Sequence, residues 1–189
     1  STQSGYIVSP VAGSRILEAI ELTAKVNGVT DTDQVTFVLS GKDKNITLQA
    51  QTTDGYATAQ LDQETLNGLG EAVGTISLVM NGTTIDTIRA TFNIPEPEQD
   101  PYEIDGFENY YGVDTMLTKN WATNKATGSS IAISLSRDYS YEGEYVMKFE
   151  YAETPDGWAG ATISKEVDWT DCDALQFWTV PDGKQQKTV

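Results

Sequence analysis

Apolar and polar residues alternate with period two through most of the first half of this chain. Ile20, Leu22, Ala24 and Val26 take every second position of one tract, and apolar-rich runs follow at 35–39, 46–48, 56–61, 76–80 and 85–92. Side chains of a strand point alternately to its two faces, so each run predicts a strand with one face turned to a core. Asn27-Gly28, Ser40-Gly41, Asp54-Gly55, Asn67-Gly68 and Asn81-Gly82 fall between the runs, and such pairs supply the turns that join strands. Only residues 62–69 break the pattern, and they predict a helical turn linking two strands.

The second half is patterned differently. It opens with DGFENYYG at 105–112, passes Trp121, and reaches an apolar strand at 131–135. In the next strand, 145–151, Tyr145, Met147, Phe149 and Tyr151 share one face, while Val146, Lys148 and Glu150 share the other. The aromatic face is expected to point into a core. A loop ETPDGWAGA, a strand near 162–167, the turn DWTDCD and the tract ALQFWTVPDGKQQKTV complete the chain. In that last tract Leu175 and Phe177 alternate with Gln176 and Trp178, and a final strand is expected to run to Val189. Five or six strands closed at that point would leave an unpaired edge and an open core, so this module is expected to continue beyond the sequence given.

The tract NIPEPEQDPYEI divides the halves. Pro95, Pro97 and Pro101 deny donors to a ladder and favour an extended, semi-rigid linker. The expected organisation is a module at 1–94, a linker at 95–103 and a second module at 104–189. All four tryptophans lie in the second module. Residues 1–93 carry 5 basic and 10 acidic side chains, net −5, and residues 94–189 carry 7 and 18, net −11.

The total of −16 disfavours nucleic acid and anionic membranes as partners, because both are held by clustered lysine and arginine. Cys172 is the only cysteine, so no internal disulfide forms and no paired-thiol metal or redox motif exists. No apolar run approaches the roughly 18 residues of a membrane-spanning helix. The chain has no histidine, no nucleophile elbow and no phosphate loop. Carboxylates that could hydrolyse a glycoside are numerous, but neither half is large enough for the long cleft such a pair needs around a polymer. The chain is expected to be non-catalytic.

About 90 residues holding six or seven short strands predict an immunoglobulin-like β-sandwich for the first half. Its opening GYIVSPVAG and the strand ending LTAKVNGV resemble bacterial immunoglobulin-like modules that accompany catalytic and sugar-binding modules in secreted glycoside hydrolases. That likeness implies a spacer. In the second half DGFENYYG, Trp121, ISLSRDYSYEGEYVMKFEY, GWAGATISKEVDW and ALQFWTVPDGKQQK resemble the opening half of carbohydrate-binding modules attached to bacterial β-mannanases and β-glucanases. Family 23 is the preferred relative, with 27 and 11 beside it. The fold class expected is therefore all-β, an immunoglobulin-like sandwich followed by a truncated jelly-roll sandwich.

The resemblance implies a secreted bacterial protein whose second module grips a β-1,4-linked plant polysaccharide: mannan, galactomannan or glucomannan. A covalently linked catalytic module is implied in the parent chain. A pyranose ring presents a face of C–H groups that stacks on a flat aromatic, while its hydroxyls meet polar groups at the rim. Trp158 is the first candidate, because Pro155-Asp156-Gly157 before it and Ala159-Gly160 after it describe a loop of small residues. Trp121, flanked by polar residues, Trp178, which shares a face with Gln176, and Tyr111 follow. Trp169 reads as a packing residue. The family's structural calcium would fall on Glu108, Glu142 and Gly143. The alternative to glycan binding is a purely structural or adhesion-type pair of sandwiches with its tryptophans in the core.

Overall fold

The computed structural model describes residues 2–182. The chain forms two compact units, Ser1–Glu96 and Pro97–Val189. The protein is all-β in class, with short helices inserted between strands.

The first unit contains, in order, β1 (Ser4–Ser9), β2 (Ser14–Ile16), β3 (Ile20–Asn27), β4 (Val35–Ser40), β5 (Asn45–Gln49), β6 (Gln51–Thr53), β7 (Tyr56–Leu61), α1 (Gln63–Leu69), β8 (Ala72–Met80) and β9 (Thr83–Phe92). One sheet has the order β1-β3-β7-β6 and the other β2-β9-β8-β4-β5. Pairing is antiparallel except between β2 and β9. The chain crosses between the sheets five times; the crossing from β1 to β2 passes the cis Ser9-Pro10 bond, and that from β5 to β6 takes the single residue Ala50.

Alternation drives the sandwich. Along β8, Ala72, Gly74, Ile76, Leu78 and Met80 are buried and their neighbours are not. They pack with Leu22, Ala24 and Val26 of β3 and with Phe37 and Leu39 of β4 in one apolar core. A Cβ on Gly74 would lie 2.0 Å from the Ser40 carbonyl oxygen and 2.8 Å from Phe92, so only glycine lets β8 approach β4 this closely. Helix α1 starts where the Asp62 carboxylate accepts the Thr65 N–H at 2.7 Å, an N-cap that satisfies one unpaired donor of the first turn. It buries Leu66 and Leu69 and stops at Gly70, at φ +65°. Asn67-Gly68, expected as a strand-joining turn, belongs to this helix instead. The carboxylate of Asp86 on β9 accepts the backbone N–H of Ile7 on β1 at 2.8 Å, so a side chain from one sheet occupies an edge donor of the other.

The second unit contains a 3-10 turn at Glu108–Tyr110, α2 (Asp114–Asn120), β10 (Ala122–Lys125), β11 (Ser130–Ser136), β12 (Val146–Ala152) and β13 (Ala159–Thr162). Its strands make two antiparallel ladders, β10 with β13 and β11 with β12. Tyr110, Val113, Met116, Leu117 and Ile133 are its buried hydrophobics among the described residues, and α2 packs on β11.

Several expectations are corrected here. Helix α2 stands where no helix was expected; Val113, Met116 and Leu117 fall on one helical face and are buried. The aromatic face of β12 is only half-buried, with the Phe149 ring set edge-on to Tyr151 at 5.4 Å. The strand expected at 162–167 is β13, which begins and ends earlier. Residues 174–182 form no ladder, and Leu175, Phe177, Trp178 and Val180 are exposed. Without a partner strand among the described residues their alternation has nothing to pair with. The remainder of that expected strand, 183–189, lies outside the described residues.

Candidate functional site

Trp158 follows a tight turn in which the Gly157 N–H donates to the Thr154 carbonyl at 2.8 Å. A second turn faces it: the Ser129 N–H donates to the Ala126 carbonyl at 3.1 Å, and the Ala126 N–H donates to the carbonyl of Trp158 itself at 2.8 Å. Gly157 lies where the turns meet. A Cβ there would stand 2.5 Å from both the Ser129 and Thr154 hydroxyl oxygens. The backbone under Trp158 is therefore clamped, while its side chain is 52% exposed.

Trp121 has a different environment. It ends α2, its N–H donating to the Leu117 carbonyl at 2.9 Å, and its indole is half-buried beside Phe107, ring centres 6.0 Å apart. Its Nε1–H donates to Asp105 Oδ2 at 2.7 Å. The Tyr110 hydroxyl donates to that same oxygen, and the Phe107 N–H donates to Oδ1 at 2.8 Å. Asp105 is thus the hub of the DGFENYYG tract, a part that sequence reasoning missed.

The two tryptophans are not brought together. Register pairs Ala122 with Thr162 and Lys125 with Ala159, so Trp121 and Trp158 sit one step beyond opposite ends of the β10–β13 ladder. Counting alternation along the paired strands assigns them to opposite faces.

Trp178 is 62% exposed and stacks on Tyr141, with ring centres 3.9 Å apart and planes at 20°. Tyr141 was not anticipated. It lies in the loop joining β11 to β12, and a stack between residues so distant in sequence leaves no local pattern to read. Trp169 is 39% exposed and its Nε1–H donates to the Pro101 carbonyl at 2.9 Å. Tyr111 is half-buried at φ +52°, closing the 3-10 turn.

The three residues expected to hold calcium do meet, as a hydrogen-bonded clasp. Glu108 Oε1 accepts the N–H groups of Glu144 and Tyr145, each at 2.8 Å. The carbonyls of Glu142 and Gly143 accept from the Ser140 hydroxyl at 2.7 and 2.9 Å. Calcium asks for about six to eight oxygen ligands. Here Glu108 Oε1 is turned to two backbone donors, and no group of three or more His, Cys, Asp or Glu converges among the described residues. The set does not fit a calcium shell, because Glu108 Oε1 is occupied by two backbone N–H groups and the Glu142 and Gly143 carbonyls by the Ser140 hydroxyl.

Two charged groups of the second unit are shifted by their hydrogen bonds. Arg137 is held above its usual range first by its bond to the Tyr145 hydroxyl, with the Glu144 carboxylate 3.8 Å away adding to it. Asp168 is lowered by the Thr170 hydroxyl and N–H.

No protein-family model matches the chain, and no curated protein does. Among solved structures, the endo-beta-1,4-mannanase from Thermotoga petrophila aligns with 48% of this chain and 20% of its own, at 18% identity and a TM-score of 0.34. The M1 domain from titin aligns with 48% of this chain and 92% of its own, at 13% identity and a TM-score of 0.29. The chain spans about a fifth of the mannanase it is similar to.

Proposed function

We propose that the second unit belongs to a jelly-roll module that binds a neutral plant cell-wall polysaccharide without cleaving it. A β-mannan, galactomannan or glucomannan is the ligand proposed, and the first unit is a spacer in a secreted bacterial glycoside hydrolase. The observation that carries this reading is Trp158. A large aromatic ring is left half in water on a backbone clamped by two interlocked turns. An indole fixed in this way offers a flat apolar surface to the C–H face of a pyranose with little further ordering on binding. The strongly acidic composition favours an uncharged polymer over an anionic one.

A structural reading, in which the tryptophans only pack, has one observation in its favour: Trp121 and Trp169 each donate their indole N–H to a protein acceptor. Affinity electrophoresis separates the two. The protein is expected to be retarded in native gels containing soluble galactomannan, and Trp158→Ala to lose most of that retardation. Migration unaffected by galactomannan supports the structural reading.

A further inference from the structure

The loop at 137–145 is unusually well fastened for a segment that buries so little. Arg137 closes it, donating from Nη2 to the Tyr145 hydroxyl at 3.0 Å with its guanidinium 5.2 Å from the centre of the same ring. That ring rests against Gly112, where a Cβ would come within 2.8 Å of the hydroxyl oxygen. Glu108 fastens the loop from below through the two N–H groups already described. Gly143 makes the approach feasible: at φ +70° it adopts a conformation that side chains resist, and a Cβ there would lie 2.5 Å from Glu108 Oε1. What this fastening holds up is exposed aromatic surface, with Tyr139 80% and Tyr141 62% exposed and Tyr141 stacked on Trp178.

The geometry points to Tyr141 and Trp178 as a second stacking station for the neutral polysaccharide, and to Glu108 as the residue that positions it by bonding the loop backbone directly, with no cation between. The inference rests on the polysaccharide reading given above. Each ring covers one face of the other, which leaves the outer faces for sugar. A loop held in its working conformation before the ligand arrives loses little freedom on binding, and that is what Glu108 and Gly143 supply. The loop adds no buried hydrophobic residue to the unit, so substitutions in it are expected to act on binding and not on folding.

The test uses the full chain with galactomannan as probe, in the wild type, Glu108→Ala, Glu108→Gln, Gly143→Ala and Tyr141→Ala. Affinity is read by electrophoresis or calorimetry. The Tyr141–Trp178 stack is read by near-ultraviolet circular dichroism, and thermal unfolding is followed with added calcium and with chelator. Removing one stacking ring is expected to weaken binding about tenfold in Tyr141→Ala with unfolding unchanged. Glu108→Ala and Gly143→Ala are expected to show a comparable loss together with loss of the aromatic dichroism. Glu108→Gln, which keeps an acceptor oxygen, is expected to retain most of what Glu108→Ala loses. Calcium and chelator are expected to change none of these. A wild type that binds galactomannan while Glu108→Ala and Tyr141→Ala bind equally well overturns the station alone. Loss of binding in chelator, restored by calcium, overturns the role given to Glu108. A wild type that ignores galactomannan overturns the polysaccharide reading and the station with it.

Discussion

The two units differ in where they place their largest apolar side chains. In the first, Phe37, Phe92, Leu22, Leu39, Leu61, Leu66, Ile76, Leu78 and Met80 are fully buried in one core. In the second, all four tryptophans are present and none is buried among the described residues. Burying apolar surface stabilises a fold by about 25 cal/mol per Å², so the first unit uses its hydrophobic residues as a scaffold does. Aromatic rings left in water contribute little of that, and clustered exposed apolar surface marks a place where something binds.

The contrast is open to direct attack. Phe37→Ala should destabilise the first unit by about 3–5 kcal/mol, the usual cost of emptying an aromatic core position, while polysaccharide affinity stays as it was wherever the variant remains folded. Denaturant unfolding beside galactomannan binding checks both halves of the statement. Trp158→Ala should do the reverse: binding weaker by tenfold to a hundredfold, about 1.4–2.8 kcal/mol, with the unfolding midpoint almost unmoved. A large fall in stability there would place that ring with the scaffold. Gly74→Ala should cost about 1–3 kcal/mol in the first unit alone, because its methyl group has no room against Ser40 and Phe92.

The smallest effect expected is a pH dependence. Asp33 is held below the ordinary aspartate value by the Thr30 N–H and by the Asn81 side chain. Its folded pKa is the lower one, so its stabilisation is present above the ordinary value, about 3.9, and is lost as pH falls through the lowered value. Thermal unfolding of Asp33→Ala against wild type should therefore show a gap at neutral pH that closes in acid. A gap independent of pH would assign the effect to turn geometry alone.

Strands β3, β4, β7 and β8 were legible in the sequence because each has one face in the core, and a buried face imposes alternation on the residues. Helix α1 was legible as a break in that pattern. Strands β1 and β2 were not, since Pro10 and the switch between sheets interrupt any period. At the site, the small residues around Trp158 announced a loop, and a loop is what holds it. Trp178 was expected on a strand and lies on unpaired chain instead, because alternation records a preference for pairing and not the presence of a partner. The calcium expectation met the same limit: an acid opposite a glycine turn has the same letters whether its oxygens are open to a cation or already hold hydrogen bonds.

The carboxylate that Asp86 sets on the Ile7 donor reaches beyond the stability of one molecule. A free rim of backbone donors invites the rim of another copy. With a carboxylate already seated on that donor, an adjoining copy finds no ladder to prolong at this point.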